Sequence, residues 1–190
     1  ELGGELIDTN HETMWALADE LGIDIDDRWA EEPLGMMRDT WHVEGGTVSS
    51  EDLLAQAMAV MDLMAQQTNE ADSDDDAFDA LDAMSLRDWL DTYVPAGALR
   101  TVLEVAYVGE FGLEADEQGC LNLLYLFGWD NDDEFLIFGA SDERFHVHLG
   151  NDTFTTSLAS AVGAGRIRLK HALVSARGGD DAPYTLAFDA

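Results

Sequence analysis

The chain has 190 residues, of which 46% are hydrophobic and 26% are charged, values close to those of ordinary globular domains. Forty Asp and Glu residues against nine Lys and Arg residues give a formal net charge of −31. This charge argues against nucleic-acid binding, which relies on Lys and Arg to neutralise phosphates. The single cysteine, Cys120, excludes an internal disulfide and a CxxC metal site.

The excess of acidic residues has three interpretations. A disordered acidic tail is disfavoured because apolar residues run through the whole chain. A protein that binds a basic partner is disfavoured because the acidic residues are spread rather than gathered in one block. The favoured interpretation is a halophilic protein. In molar salt the Debye length falls to about 3 Å, so surface carboxylates no longer repel one another. This property describes a habitat and not a reaction.

The location of the protein is inferred from what the sequence lacks. No apolar run approaches the roughly 20 residues that a membrane-spanning helix needs, and no signal-peptide pattern is present. We therefore expect a cytoplasmic protein without a membrane partner. The chain starts at Glu1 instead of methionine and ends on a strand-like pattern. We therefore expect a fragment of a larger protein, with exposed apolar surface that favours homo-oligomers.

The first quarter of the chain predicts a strand, a helix and a long loop. Residues 1–7 have the pattern of a short strand interrupted by a glycine pair. A helix follows, with Asn10 as its predicted N-cap and Gly22 as its stop. Residues 23–48 predict a loop that contains short strands.

Two capping boxes predict further helix starts. Ser49 and Asp52 have the required spacing before a long apolar pattern, and Ser85 and Asp88 have it before a short one. The acidic run 70–76 between them predicts a solvated connector.

The remaining pattern changes from helices to strands. Helices are predicted at 96–109 and 116–127, and a later helix is capped by Asn151 or Asp152 and ended by Gly163. Short strands are predicted at 135–138, 144–149, 166–175 and 183–188. The sequence therefore predicts an α+β fold, with a helical middle and a small antiparallel sheet.

Candidate metal sites have weak support. His146 and His148 point to the same side of a predicted strand, but a metal site needs at least one further ligand, so a solvated strand face is favoured. The acidic runs that begin at Asp72 and Asp130 lack the glycine that a calcium-binding loop needs. No metal site is predicted.

Two glycine-containing turns are candidates for cofactor contact. Gly3 and Gly4 lie between a strand and a helix, where the missing side chains suit a flat cofactor. An ordinary turn is the favoured interpretation of this pair taken alone. Residues 150–152 form a strand-to-helix junction, which suits an anion or an electron-rich ring edge as well as simple helix capping. Residue types alone reveal no catalytic centre.

Several stretches resemble, in order, the flavin-containing monoamine oxidases, a family of FAD-dependent amine oxidoreductases. Residues 1–8 (Glu-Leu-Gly-Gly-Glu-Leu-Ile-Asp), with His11 and the helix end at 18–23, are similar to the segment after the family's nucleotide-binding half-domain. Residues 106–112 and then 121–125 resemble the helical part of its substrate domain. Residues 141–152, 158–159 and 167–169 resemble the family's segment that returns from the substrate domain towards the flavin.

This resemblance implies a substrate-domain segment of a two-domain FAD amine oxidase. Residues 1–22 are then the edge of the FAD-binding domain, and residues 23–150 are the mainly helical substrate-binding domain. Residues 151–190 are the helix and strands that return towards the FAD domain. The family's GxGxxG motif and its C-terminal flavin-binding half are absent from the sequence, so the isolated chain is expected to be inactive.

The resemblance also implies a reaction and a set of contacts. The enzyme uses FAD to remove a hydride equivalent from the carbon next to an amine, and the imine then hydrolyses. Contacts with the cofactor fall on Gly3, Gly4, Glu5, Gly150 and Asn151. The family has two glycines where this chain has Leu149 and Gly150.

An apolar, water-poor pocket is what this chemistry needs from the substrate domain. Predicted pocket residues are Tyr107, Phe111, Tyr125 and Phe127, although apolar helix faces are more often core. The implied partners are a small-molecule amine and the rest of the FAD-binding domain. The rival interpretation is a non-catalytic acidic binding or scaffold domain derived from such an enzyme.

Overall fold

A computed structural model describes residues 4–30, 33, 39–179 and 182–189. The chain forms two compact units, the first made of residues 1–31 and 143–190 and the second of residues 32–142. The α+β prediction is confirmed, because helices occur beside small antiparallel sheets. The predicted domain boundaries after residues 22 and 150 stay a prediction.

The helices and strands follow one another along the chain, and the longest connection separates Leu126 from Phe145. In chain order they are β1 (Leu6–Ile7), α1 (Glu12–Leu21), β2 (Ile25–Asp27), β3 (Trp41–Val43), β4 (Gly46–Val48), α2 (Ser50–Ser73), α3 (Asp75–Asp82), α4 (Leu86–Tyr93), α5 (Ala98–Phe111), α6 (Leu121–Leu126), β5 (Phe145–Val147), α7 (Asp152–Val162), a 3-10 turn (Ala164–Arg166), β6 (Ala172–Gly179) and β7 (Ala182–Asp189).

The first unit is built around a three-stranded sheet. β5 lies between β1 and β2 and is antiparallel to both, with Ile7 opposite Phe145 and Ile25 opposite Val147. Helices α1 and α7 add Ala18 and Phe154 to the small core under this sheet. β6 and β7 form a separate antiparallel hairpin.

Helix α1 ends as predicted and starts one residue later than predicted. Gly22 ends it in the left-handed conformation at φ 65°, which favours glycine. His11, and not Asn10, occupies the N-cap position. The cause is a turn in which the Asp8 carbonyl accepts the His11 amide at 3.1 Å.

The second unit contains the main hydrophobic core. α2 packs against α5 and α6, and α4 packs against the same two helices. The largest fully buried side chains of this core include Trp89, Tyr107, Leu53, Met64, Leu103 and Leu124. Both predicted capping residues are confirmed, because Ser49 accepts the Asp52 amide at 3.0 Å and Ser85 accepts the Asp88 amide at 3.1 Å.

The solvated connector predicted at 70–76 is wrong. α2 continues to Ser73, and only Asp74 separates it from α3. The Asp74 carboxylate accepts the Ala77 amide at 3.0 Å, so an acidic residue that looks like loop in the sequence starts a helix. Ala71 is buried within the same run and anchors the end of α2.

Two predicted strands also differ from the structure. Residues 135–138 form an irregular turn, because the Phe135 ring packs edge-on against Trp41 and Phe127 in the core. The strand predicted at 166–175 begins only at Ala172, after the 3-10 turn. Leu149, the last residue of the strand predicted at 144–149, is 78% exposed because β5 ends at Val147.

Candidate functional site

The turn between β5 and α7 contains two of the predicted cofactor contacts, Gly150 and Asn151. Gly150 has φ 98°, a conformation that favours glycine, and its amide donates to the Val147 carbonyl at 2.9 Å. Asn151 follows at the N-cap position of α7. In the described part of the chain, the Asn151 side chain accepts no capping hydrogen bond from this helix, so simple capping does not explain the residue.

The Asn151 side chain instead reaches the N-terminal segment. Its Nδ2 donates to the Gly4 carbonyl at 2.5 Å, so two predicted cofactor-contact residues that are 147 positions apart lie together. Its Oδ1 is buried and has no hydrogen-bond partner among the residues that the structure describes. A buried acceptor without a partner is unfavourable in a folded protein, so this oxygen is available for a hydrogen bond from a donor outside the described residues, a water molecule included.

The surface beside this pair is open. Gly4 is exposed, and a Cβ built on it would meet no atom of the described chain within 4 Å. Glu5 is exposed next to it, whereas Gly3 lies outside the described residues. An open backbone face beside an unpartnered acceptor fits a flat ring whose edge carries an N–H donor. The open face at Gly4 has room for the flavin ring that the resemblance implies, and the contacts themselves stay a prediction.

A buried carboxylate that the sequence analysis did not assign supports the same segment. Asp8 is 8% exposed, and its Oδ1 accepts the Glu143 amide at 2.7 Å. The Asp8 amide donates to His11 Nδ1 at 3.1 Å. Asp8 thus ties the end of β1 to the start of β5. The sequence signal that could have identified Asp8 is its position at the end of residues 1–8, the first stretch that resembles the family.

Arg144, the residue before β5, connects this strand to β2. Its guanidinium pairs with the Asp27 carboxylate at 2.5 Å and lies 4.8 Å from the centre of the Trp29 ring. The hydrogen bond from Arg144 lowers the pKa of Asp27. This ion pair positions the strand that leads into the turn at Gly150.

His146 on β5 and His148, just after that strand, share one carboxylate. His148 Nδ1 lies 2.7 Å from Asp26 Oδ2, and His146 Nε2 lies 3.9 Å from the same oxygen. The hydrogen bond to Asp26 raises the pKa of His148. Across the described ranges, no group of three or more His, Cys, Asp or Glu side chains is placed to hold a metal ion.

Two of the four predicted pocket residues lie in the core of the second unit. Tyr107 is fully buried and its hydroxyl donates to the Ile137 carbonyl at 2.8 Å. This burial raises the pKa of Tyr107. Phe127 is 4% exposed and packs against Phe135 with ring centres 5.8 Å apart. Their placement agrees with the core alternative, and their role at a pocket stays a prediction.

The other two line an open groove on the surface of the second unit. Phe111 and Tyr125 are 41% and 47% exposed, and the groove has a volume of about 420 Å³. Its lining also includes Phe78, Asp82, Leu121 and Leu126. The structure therefore separates the four aromatic residues into a buried pair and a groove-lining pair.

None of the helices in the described part of the chain combines the length and the hydrophobicity that crossing a bilayer requires.

Comparison with known proteins gives a fold. No protein-family model and no curated protein matches the sequence. Solved structures of putrescine oxidase, from work on the redesign of its cofactor binding, do match. A single mutant is 18% identical over 100% of this chain and 44% of its own, with a TM-score of 0.66. The wild type bound to putrescine is 17% identical over 98% of this chain and 43% of its own, also with a TM-score of 0.66.

A double mutant of the same enzyme gives a TM-score of 0.67 at 18% identity, with 98% of this chain and 43% of that chain covered. The chain therefore spans less than half of the length of the solved structures it matches. At this level of identity the likeness establishes a shared fold over nearly all of the present chain.

Proposed function

We propose that the chain is the substrate-side part of an FAD-dependent amine oxidase, inactive in isolation, that shapes the amine pocket beside the flavin. The observation that carries the proposal is the fold likeness to putrescine oxidase over 98–100% of this chain. The same family resemblance arises independently from ordered stretches of the sequence. A wild-type neighbour bound to putrescine supports a small amine as the substrate.

The proposed cofactor contacts lie in the first unit. Gly4 offers an open backbone face, and Asn151 offers a buried oxygen that accepts a hydrogen bond from a ring edge. Gly150 fixes the turn that presents Asn151, and Gly3 and Glu5 complete the predicted contacts. Bound FAD supplies the acceptor for the hydride equivalent that leaves the substrate carbon.

The proposed substrate contacts lie on α5, on α6 and at the residue that follows α6. The proposed contacts are the predicted residues Tyr107, Phe111, Tyr125 and Phe127, of which Phe111 and Tyr125 are exposed on this chain. This oxidation needs a water-poor apolar pocket more than it needs paired acids and bases, so we propose that the rest of the enzyme covers these rings. Exclusion of water delays hydrolysis of the imine until it leaves the pocket. No residue of this chain is assigned a proton-transfer role.

The proposed setting follows from the charge and the resemblance. The partners are a small-molecule amine and the rest of the FAD-binding domain. We place the protein in the cytoplasm of a halophile, without nucleic-acid or membrane partners and with homo-oligomers as an expected assembly. A net charge of −31 suits solubility in concentrated salt.

One observation favours a second candidate function, a non-catalytic acidic binding or scaffold domain derived from such an enzyme. Leu149 stands where the resembling family has a glycine, and this side chain is 78% exposed. A leucine beside the flavin-facing turn suits a protein that has lost its cofactor. An intact GxGxxG motif in the complete reading frame would favour the oxidase.

The proposal is tested with the product of the complete reading frame, purified with FAD in molar KCl and incubated with a panel of amines. We expect aldehyde to accumulate from at least one amine. The Asn151→Leu variant should retain less flavin, whereas Asn69→Leu, a change of the same type at an exposed position of the second unit, should retain as much as the wild type. A product that retains no FAD and yields no aldehyde from any amine would favour the scaffold function.

A further inference from the structure

The surface groove of the second unit combines three aromatic rings with one carboxylate. Phe78 on α3, Phe111 at the end of α5 and Tyr125 on α6 are 40%, 41% and 47% exposed. Asp82 lies at the end of α3 and lines the same groove. A volume of about 420 Å³ accommodates a small organic molecule.

Two of the rings are held in place by neighbours outside the groove. The Tyr125 hydroxyl donates to Asp72 Oδ1 at 2.7 Å. Phe111 stacks on the buried Tyr107 ring with centres 6.1 Å apart and an interplanar angle of 21°. A ligand therefore meets rings whose positions are largely set, which reduces the entropy lost on binding.

The charge around the groove selects the ligand. Asp82 is four residues after Phe78, so both side chains share one face of α3. Every charged residue from 70 to 82 is acidic. This charge repels anions and attracts cations, and the faces of aromatic rings attract cations as well.

We propose that this groove binds small apolar organic cations, such as alkylammonium ions, with Asp82 as counter-ion and the three rings as cation–π partners. A role of the groove in binding the amine substrate rests on the proposed function, which this inference deepens. Binding itself needs neither FAD nor turnover, because the groove is formed entirely by residues of the second unit.

The test compares two ligands of the same shape that differ in charge, choline and 3,3-dimethylbutan-1-ol. Binding to the protein is followed by NMR titration at one fixed ionic strength. We expect choline to bind at least about tenfold more tightly than the alcohol, which lacks the cation. Equal binding of the two ligands, or no choline binding, would overturn the proposal.

Matched variants locate the binding in the groove. Asp82→Asn and Asp79→Asn remove the same charge from the same exposed helix, but only Asp82 lines the groove. We expect choline affinity to fall about three- to tenfold in Asp82→Asn and less than about twofold in Asp79→Asn. Phe78→Leu keeps an apolar side chain and should weaken choline binding about threefold. Equal losses in the two Asp variants would show non-specific attraction and overturn the proposal.

The test separates this inference from the oxidase proposal. Choline bound in the groove of a protein that oxidises no amine would support the cation site and contradict the oxidase. Amine oxidation by a protein that does not bind choline in the groove would overturn the cation site alone.

Discussion

At the scale of single residues, Asp8 is a buried carboxylate that joins two distant segments of the first unit. Its carboxylate accepts the Glu143 amide, 135 positions away, at 2.7 Å. The Asp8→Ala substitution leaves that amide without its acceptor, so we expect the free energy of unfolding to fall by about 1–3 kcal/mol. The measurement is urea denaturation in molar KCl.

The matched control for Asp8 is Asp19→Ala, which removes an exposed carboxylate from α1 in the same unit. Surface substitutions of this kind change the free energy of unfolding by within about 0.5 kcal/mol. Equal unfolding curves for the two variants would contradict the structural role of Asp8.

His148 gives a pH-dependent prediction at the same scale. Its hydrogen bond to Asp26 raises its pKa above 6.5. A raised pKa means that this pair stabilises the fold below pH 6.5 and that the stabilisation is lost as pH rises through the folded-state pKa. We expect an NMR titration of the His148 ring to give a pKa above 6.5 in the wild type.

The Asp26→Asn variant should return the His148 pKa towards 6.5, because it removes the hydrogen-bonded carboxylate that is the largest cause of the shift. Asp24→Asn serves as the control and should change that pKa less, since Asp24 acts only through its charge. Both effects should shrink in molar salt because the groups are exposed. An unchanged titration in Asp26→Asn would refute the pairing.

At the scale of elements, the start of α3 depends on one side chain. The Asp74 carboxylate accepts the Ala77 amide at the start of α3, whereas the packing contact of this helix with the main core is made by Leu81 near its other end. Asp74→Ala removes a cap that is worth about 0.5–2 kcal/mol. We expect the amides of α3 to exchange with deuterium about 2- to 30-fold faster, with the urea midpoint of the whole protein almost unchanged.

Asp79→Ala, further along the same helix, is the control for this cap and should leave the exchange rates of the α3 amides nearly unchanged. Identical exchange in the Asp74 and Asp79 variants would mean that α3 is held by contacts other than its cap.

Local signals explain which elements the sequence predicts well. Ser49, Ser85 and Gly22 act on amides and carbonyls within a few residues, so their spacing alone locates the ends of helices. The prediction for residues 70–76 is wrong because acidic residues are common both in solvated loops and at helix N-caps, and the sequence does not distinguish the two. The strand predicted at 135–138 is wrong because the apolar character of Phe135 reflects burial in the core. A buried residue can lie in a turn as well as in a strand, so burial alone does not specify a strand.

The candidate site is less accessible to sequence reasoning for a related reason. The Asn151–Gly4 and Asp8–Glu143 contacts join residues that are 147 and 135 positions apart. Neither spacing nor periodicity carries such information, so only the family resemblance brought Gly4 and Asn151 together. In the second unit the helical pattern selected four aromatic residues, but burial alone separates Tyr107 from Phe111.

At the scale of the whole molecule, a net charge of −31 predicts a strong response to salt. In dilute buffer the carboxylates repel one another and favour expanded states, whereas at about 1 M salt the Debye length is only about 3 Å. We expect the thermal midpoint to rise steadily as KCl is increased from 0.1 M to 2 M. Because sulfate and phosphate also strengthen hydrophobic burial, KCl is the salt that isolates screening. A midpoint that is independent of KCl would contradict the halophilic interpretation.

The central claim is that this chain belongs to an enzyme in which a flavin oxidises an amine. It is tested most directly by the visible absorption spectrum of the complete gene product in high salt, before and after anaerobic addition of amines. We predict a flavin spectrum that bleaches with at least one amine. A colourless protein, purified with FAD in the buffer and with its full reading frame confirmed, would contradict the claim.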